Sequence, residues 1–477
     1  VIGLKARQRS GEGEEIPKRV HLVGAGGVHM SAIGQILLGL GHQVTGSDLS
    51  PSDYTRRLER LGATILEGHH SANVGAAQLV VTTAAAKPDN PELVAAREAG
   101  IPVMVRAKMV QRLIVDRELL AVAGSHGKTT TTNLLALMVE RGELDPLVLL
   151  GGDSPDLGGN VRAGDGRHAV VEADEYAEAF LQYAPRIALI TNLEADHLDY
   201  YESEERYRAA FAQFASQVVA EGLLIVCADS AAAAALGTER TAAGAHVETY
   251  SVDAEDATWR ARGLRANERG GLDCTVELDG LELGKLSLEV PGRHNVANAL
   301  GALAVAMRAG VDFHRAAAAA SDFHGTRRHF EVIGEVRRDR KPITIVDDYA
   351  HHPTEVRATV AAARQRYGGR RLVGCFQPHT YSRSTYLLEG WRSCFESLDA
   401  LYMLRTYAAR ETEEAGIDAT ALAAEITSPV PIGLGSIGEA VTRIAGELQP
   451  GDVLLTLGAG DVTEVAPGVL RALRGHS

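Results

Sequence analysis

Residues 119–135, LLAVAGSHGKTTTTNLL, set two glycines, a lysine and four threonines where a phosphate group can be held. The run predicts a strand over 119–123, a tight turn over 124–127 and a helix opening at Lys128. A strand that stops at glycine and restarts as a helix aims several backbone N–H groups and the positive end of the helix dipole into one concavity. Lys128 would add a point charge for terminal phosphates, and the hydroxyl of Thr129 or Thr130 a hard oxygen for Mg²⁺. The strict Walker spacing asks for another glycine where Val122 stands, so the turn is a shorter variant built on Gly124 and Gly127. Four threonines fill a helix poorly, because β-branching and hydroxyl competition lower propensity, so stability alone does not account for them.

Two acidic clusters follow. A predicted strand over 169–173 ends in EADE (172–175), and one over 187–190 runs into NLEADHLD (192–199). In open parallel sheets ligands sit beyond the carboxyl ends of strands, so both clusters are expected to converge on the phosphate turn. Glu172 and His197, at the ends of strands read as adjacent, would form with Thr129 a Mg²⁺ or Mn²⁺ site bridging nucleotide phosphates to a second substrate. Acids at strand ends are also common loop decoration. Later strands end in DDYAHHPTE (347–355), QPHTYSR (377–383) and GAGD (458–461). Their histidines, His351, His352 and His379, stand at strand-to-helix junctions, where they either act chemically or cap a helix. His294, Asn295 and Asn298 open an apolar helix, where asparagine also serves as a cap or a buried hydrogen-bonding group.

These residues need parallel sheets to position them, and the chain alternates strand and helix throughout. Residues 18–50, KRVHLVGAGGVHMSAIGQILLGLGHQVTGSDLS, read as a βαβ unit with Asp48 ending its second strand, where a ribose hydroxyl can be held. Gly24 and Gly26 fit the tight turn, but His29 takes the third glycine position. Strands at 79–83 and around 103 alternate with helices near 54–61 and 91–99, and a boundary is expected near 115–117. Short alternating runs over 259–290 predict a small antiparallel insertion. A third unit has strands at 343–346, 372–376, 400–404, 430–432 and 453–457. The expected fold class is α/β: three doubly wound, Rossmann-like domains, the central one of P-loop ATPase type. Their expected limits are 1–116, 117–327 and 328–477.

The 477 residues carry a net charge of −14 with basic residues scattered singly, which argues against nucleic-acid or membrane-surface partners. Four separated cysteines inside apolar runs read as buried thiols of a reducing compartment. A polar lead, read as mobile, shows no apolar signal region, and no apolar run is long enough for a bilayer, so a cytoplasmic protein is expected.

The combination GSHGKTTTTN, EADEYAEAFL, TNLEADHLDYY, PGRHNVAN, DDYAHHPTEV and FQPHTYSR, in that order, resembles the Mur ligase family of peptidoglycan synthesis, over nearly the whole chain. The likeness is to the branch that adds L-alanine to UDP-N-acetylmuramate. It implies three domains binding, in order, the UDP-sugar, ATP and the amino acid, in a monomer or weak homodimer. It also implies a reaction in which ATP phosphorylates the lactyl carboxylate and the amine of L-alanine attacks the acyl phosphate. By this resemblance Gly124, Ser125, His126, Gly127, Lys128, Thr129 and Thr130 hold ATP, with His294, Asn295, Asn298 and Arg328 around it. Thr129, Glu172 and His197 serve the metal. Gly24, Gly26, Gly27, Ser47 and Asp48 take the sugar nucleotide, while Asp348, Tyr349, His351 and Arg383 face the amino acid and the reacting carboxylate. Lys128, His197, His351 and Arg383 are the expected catalytic groups. His29, Thr380 and His329 depart from the family pattern. No lysine lies between Lys128 and Lys285, so the carbamoylated lysine of later-acting relatives has no counterpart. Two rivals are a family member that attaches a preformed tripeptide and a nucleotide-dependent switch without catalysis. A nicotinamide dehydrogenase leaves the phosphate turn unexplained.

Overall fold

The computed structural model describes residues 15–475 apart from Ala84 and Arg410; the polar lead lies outside the described residues up to residue 14. Three sheets carry the fold. The first is fully parallel, in the order β3-β2-β1-β4-β5, from β1 (Arg19–Val23), β2 (Gln43–Asp48), β3 (Thr64–Glu67), β4 (Leu79–Thr82) and β5 (Val103–Val105). The second comprises β6 (Glu118–Ala123), β7 (Leu147–Ser154), β8 (Gly159–Ala163), β9 (His168–Glu172), β10 (Ile187–Ile190), β11 (Leu223–Cys227), β12 (Val247–Ser251), β13 (Trp259–Ala266), β14 (Leu272–Leu278) and β15 (Leu281–Ser287). Its order is β15-β14-β13-β12-β11-β10-β6-β9-β7-β8. The expected insertion forms one edge of this sheet, with β13 joined in parallel to β12 through Tyr250 and Trp259. The third, in the order β16-β17-β21-β18-β19-β20, is built from β16 (Glu331–Arg338), β17 (Lys341–Asp348), β18 (Leu372–Phe376), β19 (Ala400–Leu404), β20 (Ile432–Leu434) and β21 (Val453–Leu457). β20 begins at the residue where the sequence reading ended it, and the antiparallel β16 was not foreseen.

The described chain forms two compact units, one running to Arg260 with Glu277–Leu283 and Asn298–Ala320, the other holding Ala261–Val276, Gly284–Ala297 and the rest from Ser321. In the first unit the strands of the phosphate-turn sheet are continuous apolar runs such as LLAVA, IALI and LLIVC, as parallel strands covered on both faces must be. One core runs from Leu22, Ile33 and Ile36 to Leu119, Ala121 and Leu149, so the first two sheets share it. In the second unit alternate residues face opposite cores: Ile343, Ile345, Val373 and Cys375 to one, Val346, Leu372 and Phe376 to the other. All four cysteines are buried. Among the described residues no helix is long and apolar enough to cross a membrane.

Four helices of the first unit matter below: α1 (Val28–Gly39), α2 (Asp53–Arg60), α3 (Pro91–Glu98) and α4 (Arg106–Leu113). Ser52 and Thr55 form a capping box at α2, and Asn90 caps α3 ahead of Pro91. The α3 residue Glu92 is fully buried beneath the first sheet. It accepts hydrogen bonds from Ser47 Oγ (2.6 Å) and Asn73 Nδ2 (2.6 Å), with the His21 ring 3.6 Å away. Burial pushes its pKa up, but His21, Ser47 and Asn73 outweigh that and pull it down to about 2. A depressed carboxyl stabilises the fold above its ordinary value near 4.5 and loses that contribution as pH falls toward about 2. Glu92→Gln should therefore flatten the acid slope of melting temperature in that window; parallel acid slopes in variant and parent would contradict the assignment.

Candidate functional site

The phosphate turn is built as its sequence predicts. β6 ends at Ala123, Gly127 is the N-cap at φ 76°, and α5 (Lys128–Arg141) follows with no side chain capping its first turn. Glycine is required twice. A Cβ on Gly124 (φ 138°) would lie 2.0 Å from Thr191 Oγ1, and one on Gly127 would lie 2.6 Å from Asn298 Oδ1. The segment after β10 braces the loop. Asn192 Oδ1 accepts the His126 N–H (2.8 Å), Thr191 Oγ1 donates to the His126 carbonyl (2.6 Å), and Ser125 Oγ donates to Glu194 O (2.7 Å) while accepting the Glu194 N–H (2.8 Å). His126 Nε2 lies 3.3 Å from Glu194.

Lys128 Nζ donates to Gly124 O (2.6 Å), Ser125 O (3.0 Å) and Glu175 Oε1 (2.9 Å), which uses all three of its protons. Burial would lower its pKa, but Glu175, Glu172 and Asp174 raise it further, so the ammonium keeps its charge. Glu175 is fully buried, burial pushes its carboxyl up against the pull of Lys128, and Oε2 has no hydrogen-bond partner. Thr129 Oγ1 donates to Glu172 Oε1 (3.1 Å), whose other oxygen accepts the Gly151 N–H (3.1 Å). Thr132 Oγ1 turns back onto the Lys128 carbonyl, and Thr130 and Thr131 are buried.

The strands that carry Glu172 and His197 are not the adjacent pair the sequence suggests. β6 lies between β9 and β10, so Glu172 and His197 belong to strands flanking β6 rather than to adjacent ones. His197 sits in the left-handed region (φ 54°), its carbonyl accepts the Tyr200 and Tyr201 N–H groups, and Nε2 faces Glu175 Oε1 at 3.6 Å. The structure thus joins Thr129 to Glu172, and His197 to the Lys128–Glu175 pair. The first pair offers hard oxygens and fits Mg²⁺; the imidazole suits a more borderline ion.

Around the glycine turn of β1, Gly24 (φ 78°) and Ala25 donate their N–H groups to Ser47 O, each at 2.9 Å, and Gly26 donates to Asp48 Oδ2 at 2.7 Å. Asp48 thus holds the turn itself, and the Ser47 hydroxyl is buried against Glu92; Gly27 caps α1. One residue into that helix, His29 Nδ1 meets Arg106 Nη1 at 2.5 Å, and Arg106 Nη2 donates to Asp174 Oδ2 at 2.7 Å. Burial, then the Arg106 cation, holds the His29 pKa down to about 3, so its ring is neutral at neutral pH. Asp174 is pushed up by burial but held well below the usual carboxylate range by Arg106. A second set of bonds ties the first two sheets. Arg57 grips Asp153 with both terminal nitrogens (3.0 Å each), and Asn160 accepts from Arg57 (2.8 Å) and Gln35 (3.0 Å) and donates to Val28 O (2.6 Å).

In the second unit the predicted residues meet at the carboxyl ends of β17 and β18. Asp348 accepts the Phe330 and Ala350 N–H groups (2.7 Å each), and burial pushes its carboxyl up to about 6. Arg328 lies over the Tyr349 ring (4.9 Å) and binds Gly458 O (2.7 Å) and Asp347 (3.3 Å). Tyr349 contacts His351 edge-on, His351 contacts His379, His379 stacks on Tyr407, and Arg383 donates to His379 Nδ1 (2.9 Å). His352 caps the helix Pro353–Tyr367, the non-chemical role its position allowed. Asn295 Nδ2 bonds Pro291 O within its helix start (2.7 Å), and burial lowers the His294 pKa to about 4.

Sequence reasoning missed Glu175, Arg106 and Tyr407. Glu175 had a signal, as the last acid of EADE one strand from the lysine of the phosphate turn. Arg106 and Tyr407 had none, because their partners are distant in sequence.

Residues 19–117 match the Mur ligase family catalytic domain, 122–306 the Mur ligase middle domain and 328–460 the Mur ligase glutamate ligase domain. The chain is 42% identical over 462 residues to the UDP-N-acetylmuramate–L-alanine ligase of Pelotomaculum thermopropionicum, covering 96% of this chain and 98% of that one. It is also 42% identical to the ligase of the same name from Roseiflexus castenholzii, covering 95% and 97%. Among solved structures it resembles UDP-N-acetylmuramate–alanine ligase MurC of Thermotoga maritima (TM-score 0.82, 28% identity, 96% of this chain and 100% of that one). It also resembles a murein peptide ligase of Psychrobacter arcticus (TM-score 0.72, 26% identity, 96% and 99%). With its phosphate turn, its strand-end acids and relatives of this identity along nearly its whole length, the chain belongs to the Mur ligase family.

Proposed function

We propose that the protein is an ATP-dependent ligase joining L-alanine to the lactyl carboxylate of UDP-N-acetylmuramate, a soluble cytoplasmic enzyme working as a monomer or weak homodimer. The observation that carries the ATP half is the part-buried Lys128 held across the Gly124–Gly127 turn beside the Thr129–Glu172 pair. The amino-acid half draws on full-length relatives at about 40% identity that bear that activity in their names. Residues 1–116 would take the UDP-sugar, 117–327 ATP, and 328–477 the amino acid.

In this reading the carboxylate oxygen attacks the γ-phosphorus and ADP leaves; the alanine amine then attacks the acyl carbon, phosphate leaves and the amine loses a proton. Chemistry of this kind needs positioning and charge neutralisation more than covalent help from the protein. Lys128 and the uncapped N–H groups of α5 supply positive potential at the phosphates. Lys128 must release one of its three bonds to reach a phosphate oxygen, and Gly124 O and Ser125 O lie on the loop that a nucleotide would reshape. Thr129 and Glu172 would hold Mg²⁺, which shields phosphate charge when bound; His197 would steady Glu175 nearby. Arg383 and Arg328 would serve the anionic groups, and Asp348, Tyr349 and His351 the amino acid.

A purified-protein assay with ATP, Mg²⁺ and UDP-N-acetylmuramate separates the rivals. Phosphate release is expected with L-alanine and not with the preformed tripeptide. Release with the tripeptide alone would assign the recycling activity, and tight UDP-sugar binding without turnover would favour a switch.

A further inference from the structure

The first helical turn after the glycine turn carries a histidine that phosphate binding does not explain, and the structure gives it a fixed partner. An arginine can only donate, so His29 Nδ1 accepts from Arg106 Nη1 and the ring proton sits on Nε2, which has no partner of its own. Arg106 opens α4, and its second nitrogen donates to Asp174. Asp174 is the middle acid of EADE. Its Oδ1 accepts the Tyr176 N–H (3.0 Å) and its carbonyl the Phe180 N–H (2.9 Å), which fixes the turn leaving β9. On either side of it, Glu172 holds Thr129 and Glu175 holds Lys128. The residue before His29 is tied to the same sheet independently, through Val28 O and Asn160. Two adjacent residues of α1 are thus anchored to the sheet that bears the phosphate turn.

A glycine at position 29 would leave the Arg106 Nη1 proton without this acceptor, and the guanidinium plane would be set by Asp174 alone. A planar donor fork gripped from both sides has one orientation; gripped from one side it can swing. We propose that His29, Arg106 and Asp174 form a positioning relay from the sugar-nucleotide turn to the ATP loop, so that the side chain at position 29 tunes ATP affinity through the placement of Glu172 and Glu175. The inference rests on the reading that the Gly124–Thr130 turn binds ATP. None of the three is a catalytic residue; each acts through the next.

The test is calorimetric titration of the full-length protein with Mg²⁺ and a non-hydrolysable ATP analogue, with no UDP-sugar present. His29→Ala is expected to weaken binding roughly three- to tenfold. His29→Asn, whose Oδ1 can stand where Nδ1 stood, is expected to restore it. Asp174→Ala should weaken binding by itself, and adding His29→Ala to it should weaken it no further, because the route is already cut. If His29→Ala does not fold, His29→Gly carries the same expectation. Lys128→Ala in the same titration should lose binding. Loss in Lys128→Ala with parental affinity in His29→Ala overturns the relay alone. Parental affinity in Lys128→Ala removes the ATP reading of the turn and the relay with it. Additive effects of His29→Ala and Asp174→Ala, or failure of His29→Asn to restore affinity, also overturn the relay.

Discussion

Lys128→Ala is expected to abolish ATP-dependent phosphate release while UDP-N-acetylmuramate binding stays near that of the parent. The Lys128 ammonium bonds the phosphate loop and Glu175, whereas the glycine turn of the first sheet is held by Ser47 and Asp48. The same change strands Glu175, a fully buried carboxylate, and breaking a buried pair in this way costs about 3–5 kcal/mol. Lost turnover could then be confused with lost fold. The double variant Lys128→Ala with Glu175→Gln removes the stranded charge and should regain most of the melting temperature without regaining turnover. Measurable phosphate release from either variant would remove Lys128 from its assigned role.

The second large effect is expected at Glu172. Glutamine has a single acceptor oxygen, so either the Thr129 hydroxyl or the Gly151 N–H faces an amide N–H₂ in place of an oxygen, and the charge is removed. Glu172→Gln should raise the Mg²⁺ concentration for half-maximal phosphate release by about ten- to a hundredfold. His197→Ala should raise it less, since His197 faces Glu175 and not Thr129. An unchanged Mg²⁺ midpoint in Glu172→Gln would take it off the ligand set, and a larger shift in His197→Ala than in Glu172→Gln would make His197 the stronger ligand.

Much of this architecture can be read from the chain because it is local. The phosphate turn, α5 and the apolar parallel strands announce themselves through glycine placement, an opening lysine and unbroken aliphatic runs. β16 was illegible because its alternation is weak, with Gly334 at a register shift and charged residues along an edge. Glu172 was legible from its strand end, but the neighbour of His197 was not, because local pattern does not show strand order: β6 lies between β9 and β10, and His197 Nε2 faces Glu175. Arg106 lies 68 residues from Asp174 and 77 from His29, so no spacing rule could have joined them.

The joint between the first two sheets bears on how such proteins can be recombined. Asn160 and Asp153 belong to the β7–β8 hairpin, yet their hydrogen bonds go to Gln35, Val28 and Arg57 of the preceding segment. A chimera cut at residue 116, importing a relative's first segment, would confront this hairpin with foreign side chains and lose both the bidentate pair and the bonds of a fully buried asparagine. The exchangeable cassette is therefore discontinuous: residues up to 116 must travel together with 147–163, although the two stretches are separated in the chain by the phosphate turn itself.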